Sequence, residues 1–71
     1  MKWNHEQLDE LERAVLYGTR LQVFRRGTEH VLIPLELRSR FGRDVLIGRR
    51  VTTGDRDEFP LDELDSFTVL D

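Results

Sequence analysis

Arginine is the residue type through which this 71-residue chain could do chemistry. Between residues 19 and 50, eight arginines stand against three acids, giving a net charge of +5. A guanidinium forms paired hydrogen bonds with phosphate and stacks on aromatic rings. The pattern predicts a phosphate-binding strip, and Phe24 and Phe41 are candidates for stacking a base. The candidate cations are Arg25, Arg26, Arg38, Arg40, Arg43, Arg49 and Arg50.

The acid-rich end of the chain offers a competing interpretation of these arginines. Residues 51–71 carry one arginine against seven acids, for a net charge of −6. Opposite charges on adjacent strands attract, so the arginines could pair within the fold instead of binding a ligand. The ligand interpretation expects Arg25 and Arg49 on one connected, outward-facing patch. The acids available for pairing are Asp55, Asp57, Glu58, Asp62, Glu63 and Asp65.

The residue types that catalysis or metal binding requires are scarce. Cysteine is absent, which excludes disulfides and thiolate chemistry, and His5 and His30 lack the spacing of a metal site. Ser39 and Ser66 have no nearby His-Asp companions, and no glycine-rich phosphate loop exists. We expect no enzyme, no metal and no cofactor, and we expect His30 to be a surface residue beside a turn. A weak cation-dependent enzyme on Asp55, Asp57, Glu58 and Asp62 is a remote alternative.

Length and composition favour one small globular domain spanning residues 1–71. The chain is 38% hydrophobic and 35% charged, which suits a folded protein better than a disordered tail. No segment could cross a bilayer or form a signal-peptide core, so we expect a cytoplasmic protein with no membrane partner. A core this small leaves apolar surface that association could bury. The second hypothesis is therefore a protein-interaction or self-association module, a possible homo-oligomer without a nucleic-acid ligand.

The first element that must support this chemistry is a helix over about residues 5–17. Asn4 is a good N-cap, and Gln7 three residues later completes a capping box. Gly18 stands where a helix ends in the left-handed conformation. One apolar stripe follows helical spacing: Leu8, Leu11 and Val15.

After Gly18 the apolar residues alternate with period two, which predicts short strands. We expect the second strand to end at Pro34, residues 38–43 to form a loop or hairpin turn, and residues 62–64 to form one helical turn. The predicted fold is α+β, mostly β: one helix, then a small five-stranded barrel over about residues 19–70, because closure removes exposed edges. The predicted strands are 19–25, 31–35, 45–51, 56–61 and 66–70.

From residue 11 to residue 70, the order and spacing of these elements resemble the WYL domain of many bacterial transcriptional regulators. That domain is an Sm-like/SH3-like barrel, so the resemblance implies this fold here. It also implies a regulatory role in sensing small effectors, nucleotides or single-stranded nucleic acid. Since one helix precedes the barrel, we expect a stand-alone sensor or adaptor and not a complete repressor. The matching blocks are residues 11–15, 21–23, 34–37, 42–48, 59–64 and 66–70.

The departures from the family pattern fall on its ligand surface. Of the Trp-Tyr-Leu signature only Leu46 remains, and Asp44 and Val45 replace the aromatic residues. Pro60 and Glu63 replace two arginines, and Arg25 stands where tyrosine is common. The retained residues are those that a core and its turns require: Leu21, Val23, Pro34, Leu46, Gly48, Phe59, Leu61, Leu64 and Val69. The resemblance therefore carries the fold further than it carries the ligand.

Overall fold

A computed structural model describes residues 3–70, except for the side chain of Arg40. One α-helix precedes five strands, which confirms the predicted mostly-β α+β class. A short 3₁₀ helix, η1 (Leu61–Glu63), joins the last two strands. The other elements are α1 (His5–Tyr17), β1 (Leu21–Arg25), β2 (Thr28–Arg40), β3 (Arg43–Arg50), β4 (Arg56–Pro60) and β5 (Leu64–Val69).

Helix α1 begins and ends as the sequence predicts. The Asn4 side chain accepts a hydrogen bond from the Gln7 N–H at 2.9 Å, and the Gln7 side chain accepts one from the Asn4 N–H at 3.0 Å. This reciprocal box satisfies two donors that a helix start would leave unpaired. Gly18 ends the helix with a φ of 66°, a conformation that glycine adopts without strain. In the part of the chain described, no helix is both long and apolar enough to cross a membrane.

The five strands form one antiparallel sheet in the order β4-β3-β2-β1-β5. Strands β1 and β4 are not neighbours in this order, yet the Arg25 guanidinium on β1 lies 5.7 Å from the ring centroid of Phe59 on β4. A flat sheet would hold those strands, three spacings apart, at about 14 Å. The sheet therefore curls on itself into a barrel-like form.

The core lies inside this curl, beneath α1. Alternate residues of β1 point inward and are fully buried, as are Leu11 of the helix and Phe59 of β4. Trp3, only 7% exposed, donates its indole N–H to the Leu61 carbonyl at 2.8 Å, and its ring lies 5.3 Å from that of Phe67. That bond satisfies a buried polar group and ties the start of α1 to η1.

Strand β2 corrects two of the predicted boundaries. It runs for 13 residues through Pro34, so the prediction that Pro34 ends the strand was wrong. The register with β3 shifts between Pro34 and Glu36, and a proline is tolerated at such a bulge because no ladder N–H is required of it. Of the predicted loop or hairpin turn over 38–43, the structure shows a hairpin whose turn is Phe41-Gly42, and the other residues are strand. Both turn residues have positive φ, as in the hairpin turns that match strand twist.

Candidate ligand-binding site

The structure divides the candidate arginines between two faces of β3. Arg49 and Arg50 are neighbours in sequence, and successive side chains of a strand point to opposite faces. Arg50 lies on the inner face, where its guanidinium is 5.7 Å from the Phe59 ring centroid. Arg49 lies on the outer face and is exposed. Arg25 also lies over Phe59, so the structure groups Arg25 with Arg50 and not with Arg49.

Four arginines on the outer side of β2, β3 and β4 make up what we call the outer arginine face: Arg38, Arg43, Arg49 and Arg56. Their placement follows from register. Arg38 lies opposite Val45, and Val45 alternates with the buried Leu46 along β3. Arg56 lies directly opposite Arg49 on the neighbouring strand. The bend of β2 at Pro34 and the register of β3 thus decide which arginines share this face.

Arg49 and Arg56 are the distinctive pair of that face. Both side chains are exposed, and neither forms an ion pair with any residue among those described. The one hydrogen bond of Arg49 runs from Nη1 to the Gly54 carbonyl at 3.4 Å. Like charges directly opposite each other on adjacent strands repel. An anion between the two guanidiniums would relieve this repulsion.

The other two members of the outer arginine face form exposed ion pairs. The Arg38 guanidinium donates to Glu36, two residues earlier on the same strand, at 2.9 Å. Arg43 donates to both carboxylate oxygens of Asp62 in η1, at 2.9 and 3.0 Å. All four side chains are 40% exposed or more, and such pairs contribute about 1 kcal/mol or less to stability. A phosphate can compete with these carboxylates at little energetic cost.

On the inner face, Arg25 and Arg50 belong to what we call the Phe59 cluster: Arg25, His30, Arg50, Asp57, Phe59 and Glu63. Arg25 donates to Glu63 at 2.5 and 3.0 Å, and Arg50 donates to Asp57 at 2.6 and 3.0 Å. The two arginine side chains are 31% and 30% exposed. The competing interpretation was that the arginines pair with acids near the end of the chain. The structure shows this pairing for Arg25 and Arg50.

His30 is part of this cluster and not the surface residue that the sequence led us to expect. Its ring lies 5.4 Å from that of Phe59, and its Nδ1 lies 2.9 Å from Nη1 of Arg50. Arginine can only donate, so Nδ1 accepts and the ring is neutral with its proton on Nε2. Partial burial, followed by the charges of Arg50 and Arg25, lowers the pKa of His30. Hydrogen bonds from Arg50 lower the pKa of Asp57.

The remaining candidates are Arg26, Arg40, Phe24 and Phe41. Arg26 occupies the β1–β2 turn, is 78% exposed and approaches Glu63 to 3.9 Å. Arg40 ends β2 opposite Arg43, and its side chain lies outside the described part of the structure. Phe24 is half-buried on β1, whereas Phe41 is 96% exposed at the tip of the β2–β3 hairpin. Phe41 is therefore the better placed of the two to stack a base.

Sequence reasoning missed Arg56 and His30. Arg56 follows the basic stretch and is surrounded by acids in sequence, so only the β3–β4 register reveals that it faces Arg49. His30 lies two residues before the buried Leu32 on the same strand, so the two side chains share the inward face. This spacing was the sequence signal that could have identified His30. Of the acids considered for a cation, Asp57 and Asp62 are held by Arg50 and Arg43. No group of three metal-ligating side chains occurs among the described residues.

Comparison with known proteins bears on the fold. No protein-family model matches the sequence, and no match was found among curated proteins. Among solved structures, the chain is similar to proteasome accessory factor B/C (PafBC) of Arthrobacter aurescens, with a TM-score of 0.79 at 18% identity. The similarity covers 90% of this chain, which spans 11% of the length of that protein. The likeness is one of fold, and it supports the WYL-like fold expected from the sequence.

Proposed function

We propose that this chain is a regulatory, non-catalytic WYL-like domain that binds a phosphate-bearing ligand on its outer arginine face. The observation that carries the proposal is the facing pair Arg49 and Arg56, exposed and without a carboxylate partner among the described residues. The regulatory part rests on the resemblance to WYL domains and on the fold likeness to PafBC. The ligand part rests on arginine chemistry.

The outer arginine face suits a chain of phosphates better than a single small anion. Its arginines extend along β3 from Arg43 at the start of the strand to Arg49 near its end, six residues later. At about 3.3 Å per residue this separation is roughly 20 Å, which spans several nucleotides. Phe41, exposed in the hairpin turn two residues before Arg43, can stack an unpaired base. A single-stranded nucleic acid is therefore the ligand that fits best, and a nucleotide is a smaller version of it.

The experiment is fluorescence anisotropy with a labelled single-stranded oligonucleotide, comparing the unaltered protein with two double variants. Arg49→Ala with Arg56→Ala removes the facing pair and is expected to raise Kd about tenfold, equivalent to about 1.4 kcal/mol. Arg13→Ala with Arg20→Ala removes the same charge from exposed positions away from this face, and is expected to change Kd less than about twofold. Equal losses in the two double variants would reduce binding to a general charge effect and contradict the assigned site.

A further inference from the structure

The free edge of β5 is a second surface with the features of a binding site. β5 is the last strand of the sheet, and within residues 3–70 it pairs with β1 alone, so its other edge has no partner strand there. The Leu70 N–H donates to the Arg20 carbonyl at 2.8 Å. In an antiparallel ladder, residues whose backbone groups bond to the neighbouring strand alternate with residues whose backbone groups point away from it. Counting back from Leu70, the backbone groups of Thr68 and Ser66 therefore bond to β1. The backbone groups of Phe67 and Val69 therefore point to the free edge.

A groove of about 390 Å³ runs along this edge, between β5 and α1. One wall consists of five consecutive residues, 65–69, which means that the backbone edge of the strand lines the groove. The other wall is formed by Trp3, which precedes the helix, and by Gln7 and Glu10 of α1. A second groove begins at Glu10 and Val69 and continues along α1 past the end of β5, where Arg13 and Tyr17 line it.

The chemistry of the groove is apolar at its base and acidic at its rim. Trp3 and Phe67 are in ring contact, and Val69 remains 37% exposed. Glu10 and Asp65 line the opening, and one carboxylate oxygen of Asp65 also accepts a hydrogen bond from the Gly27 N–H at 2.9 Å. The helix adds to the negative field, because its residues 5–17 hold four acids and one arginine. In an extended peptide with alternating apolar and basic residues, the apolar side chains would contact the base of the groove and the basic side chains would face the acids at its rim.

We propose that the groove between β5 and α1 accepts an extended, basic segment of a partner protein as an additional strand of the sheet. Backbone hydrogen bonds to Phe67 and Val69 would supply affinity, and Glu10 and Asp65 would select basic side chains. The proposal does not depend on the outer arginine face, which lies on β2, β3 and β4.

The test uses a short synthetic peptide in which valine and lysine alternate, followed by backbone amide NMR. We expect saturable shifts at residues 65–69 and slowed hydrogen exchange at the Phe67 and Val69 amides. Glu10→Lys is expected to raise Kd about fivefold, because it reverses a charge on the rim. Glu12→Lys makes the same charge change at an exposed position of the same helix outside this groove, and is expected to leave Kd unchanged.

Several outcomes would overturn the proposal. Shifts confined to another surface, or equal effects of the two variants, would contradict the assigned site. Equally tight binding of a valine–glutamate peptide would contradict the preference for basic side chains. Shifts at residues 65–69 that grow with protein concentration in the absence of peptide would assign the groove to a second copy of this chain. Absence of any shift at peptide concentrations well above the protein concentration would leave the edge without this ligand.

Discussion

Arg49 and Arg50 are adjacent in sequence and have different surroundings. Arg50 contacts His30, Asp57 and the Phe59 ring, whereas Arg49 has one long hydrogen bond to a backbone carbonyl and faces another arginine. The first arrangement stabilises the barrel. The second arrangement leaves the Arg49 guanidinium available to a ligand. Arg50 therefore has a structural role, and its neighbour Arg49 has the proposed binding role.

Alanine substitutions at these two positions are expected to have opposite consequences. Arg50→Ala leaves Asp57 and His30 without their partner and should lower the free energy of unfolding by about 1–2 kcal/mol. Arg49→Ala relieves repulsion from Arg56 and should change it by less than about 0.5 kcal/mol, or raise it. Urea unfolding followed by circular dichroism measures both. A larger destabilisation from Arg49→Ala than from Arg50→Ala would contradict the assignment of faces.

The neutral His30 ring makes stability depend on pH. Its folded pKa is lowered, so the unfolded chain, with a usual pKa of about 6.5, takes up a proton before the folded chain does. Stability should therefore fall as the pH decreases through about 6.5. The depressed pKa of Asp57 acts in the same direction at lower pH, because its contribution is present above its usual pKa and lost below it.

The measurement is urea unfolding at several pH values between neutral and mildly acidic, for the unaltered protein and two variants. His30→Gln should remove most of the decline near pH 6.5, since no titrating ring then accepts from Arg50. His5→Gln, which changes an exposed histidine at the start of α1, should retain it. A decline that persists unchanged in His30→Gln would show that another group is responsible.

At the scale of the elements, the close packing of β3 against β2 depends on one glycine. A Cβ built on Gly48 would lie 2.5 Å from Cδ1 of the buried Leu32, which is too close for two carbons. Gly48→Ala should therefore lower the free energy of unfolding by about 1–3 kcal/mol. Leu32→Ala alone removes core volume and should cost about 2–5 kcal/mol. Because Leu32→Ala makes room for the new Cβ at position 48, the double variant should lose less unfolding free energy than the sum of the two single variants. Strictly additive losses would contradict the close contact between Gly48 and Leu32.

The elements also show what periodicity could and could not predict. The capping residues Asn4 and Gly18 place the ends of α1 correctly, because capping is a local interaction. Pro34 gave a wrong strand end, because whether a proline interrupts a strand depends on the partner's register, and here a bulge accommodates it. The alternation in β1 correctly identifies Leu21 and Val23 as inward-facing residues.

For the whole molecule, the sequence predicts charge along the chain, and the fold determines charge in space. Five of the seven arginines predicted as one strip lie in two groups, since Arg49 and Arg50 alternate across β3 and the curl of the sheet brings Arg25 to Arg50. Arg56 joins the outer arginine face from the acidic end of the chain. Neither result could be derived without the β3–β4 register and the curvature, which depend on contacts between residues distant in sequence.

The claim that the outer arginine face binds phosphates can be tested through the salt dependence of oligonucleotide binding. Anisotropy of a labelled single strand, and of the matching duplex, would be measured at about 50 and about 200 mM salt. We expect saturable binding that prefers the single strand and weakens by about tenfold or more across this range, because each phosphate contact releases counterions. No binding at the lower salt, or a Kd that salt does not change, would contradict the claim.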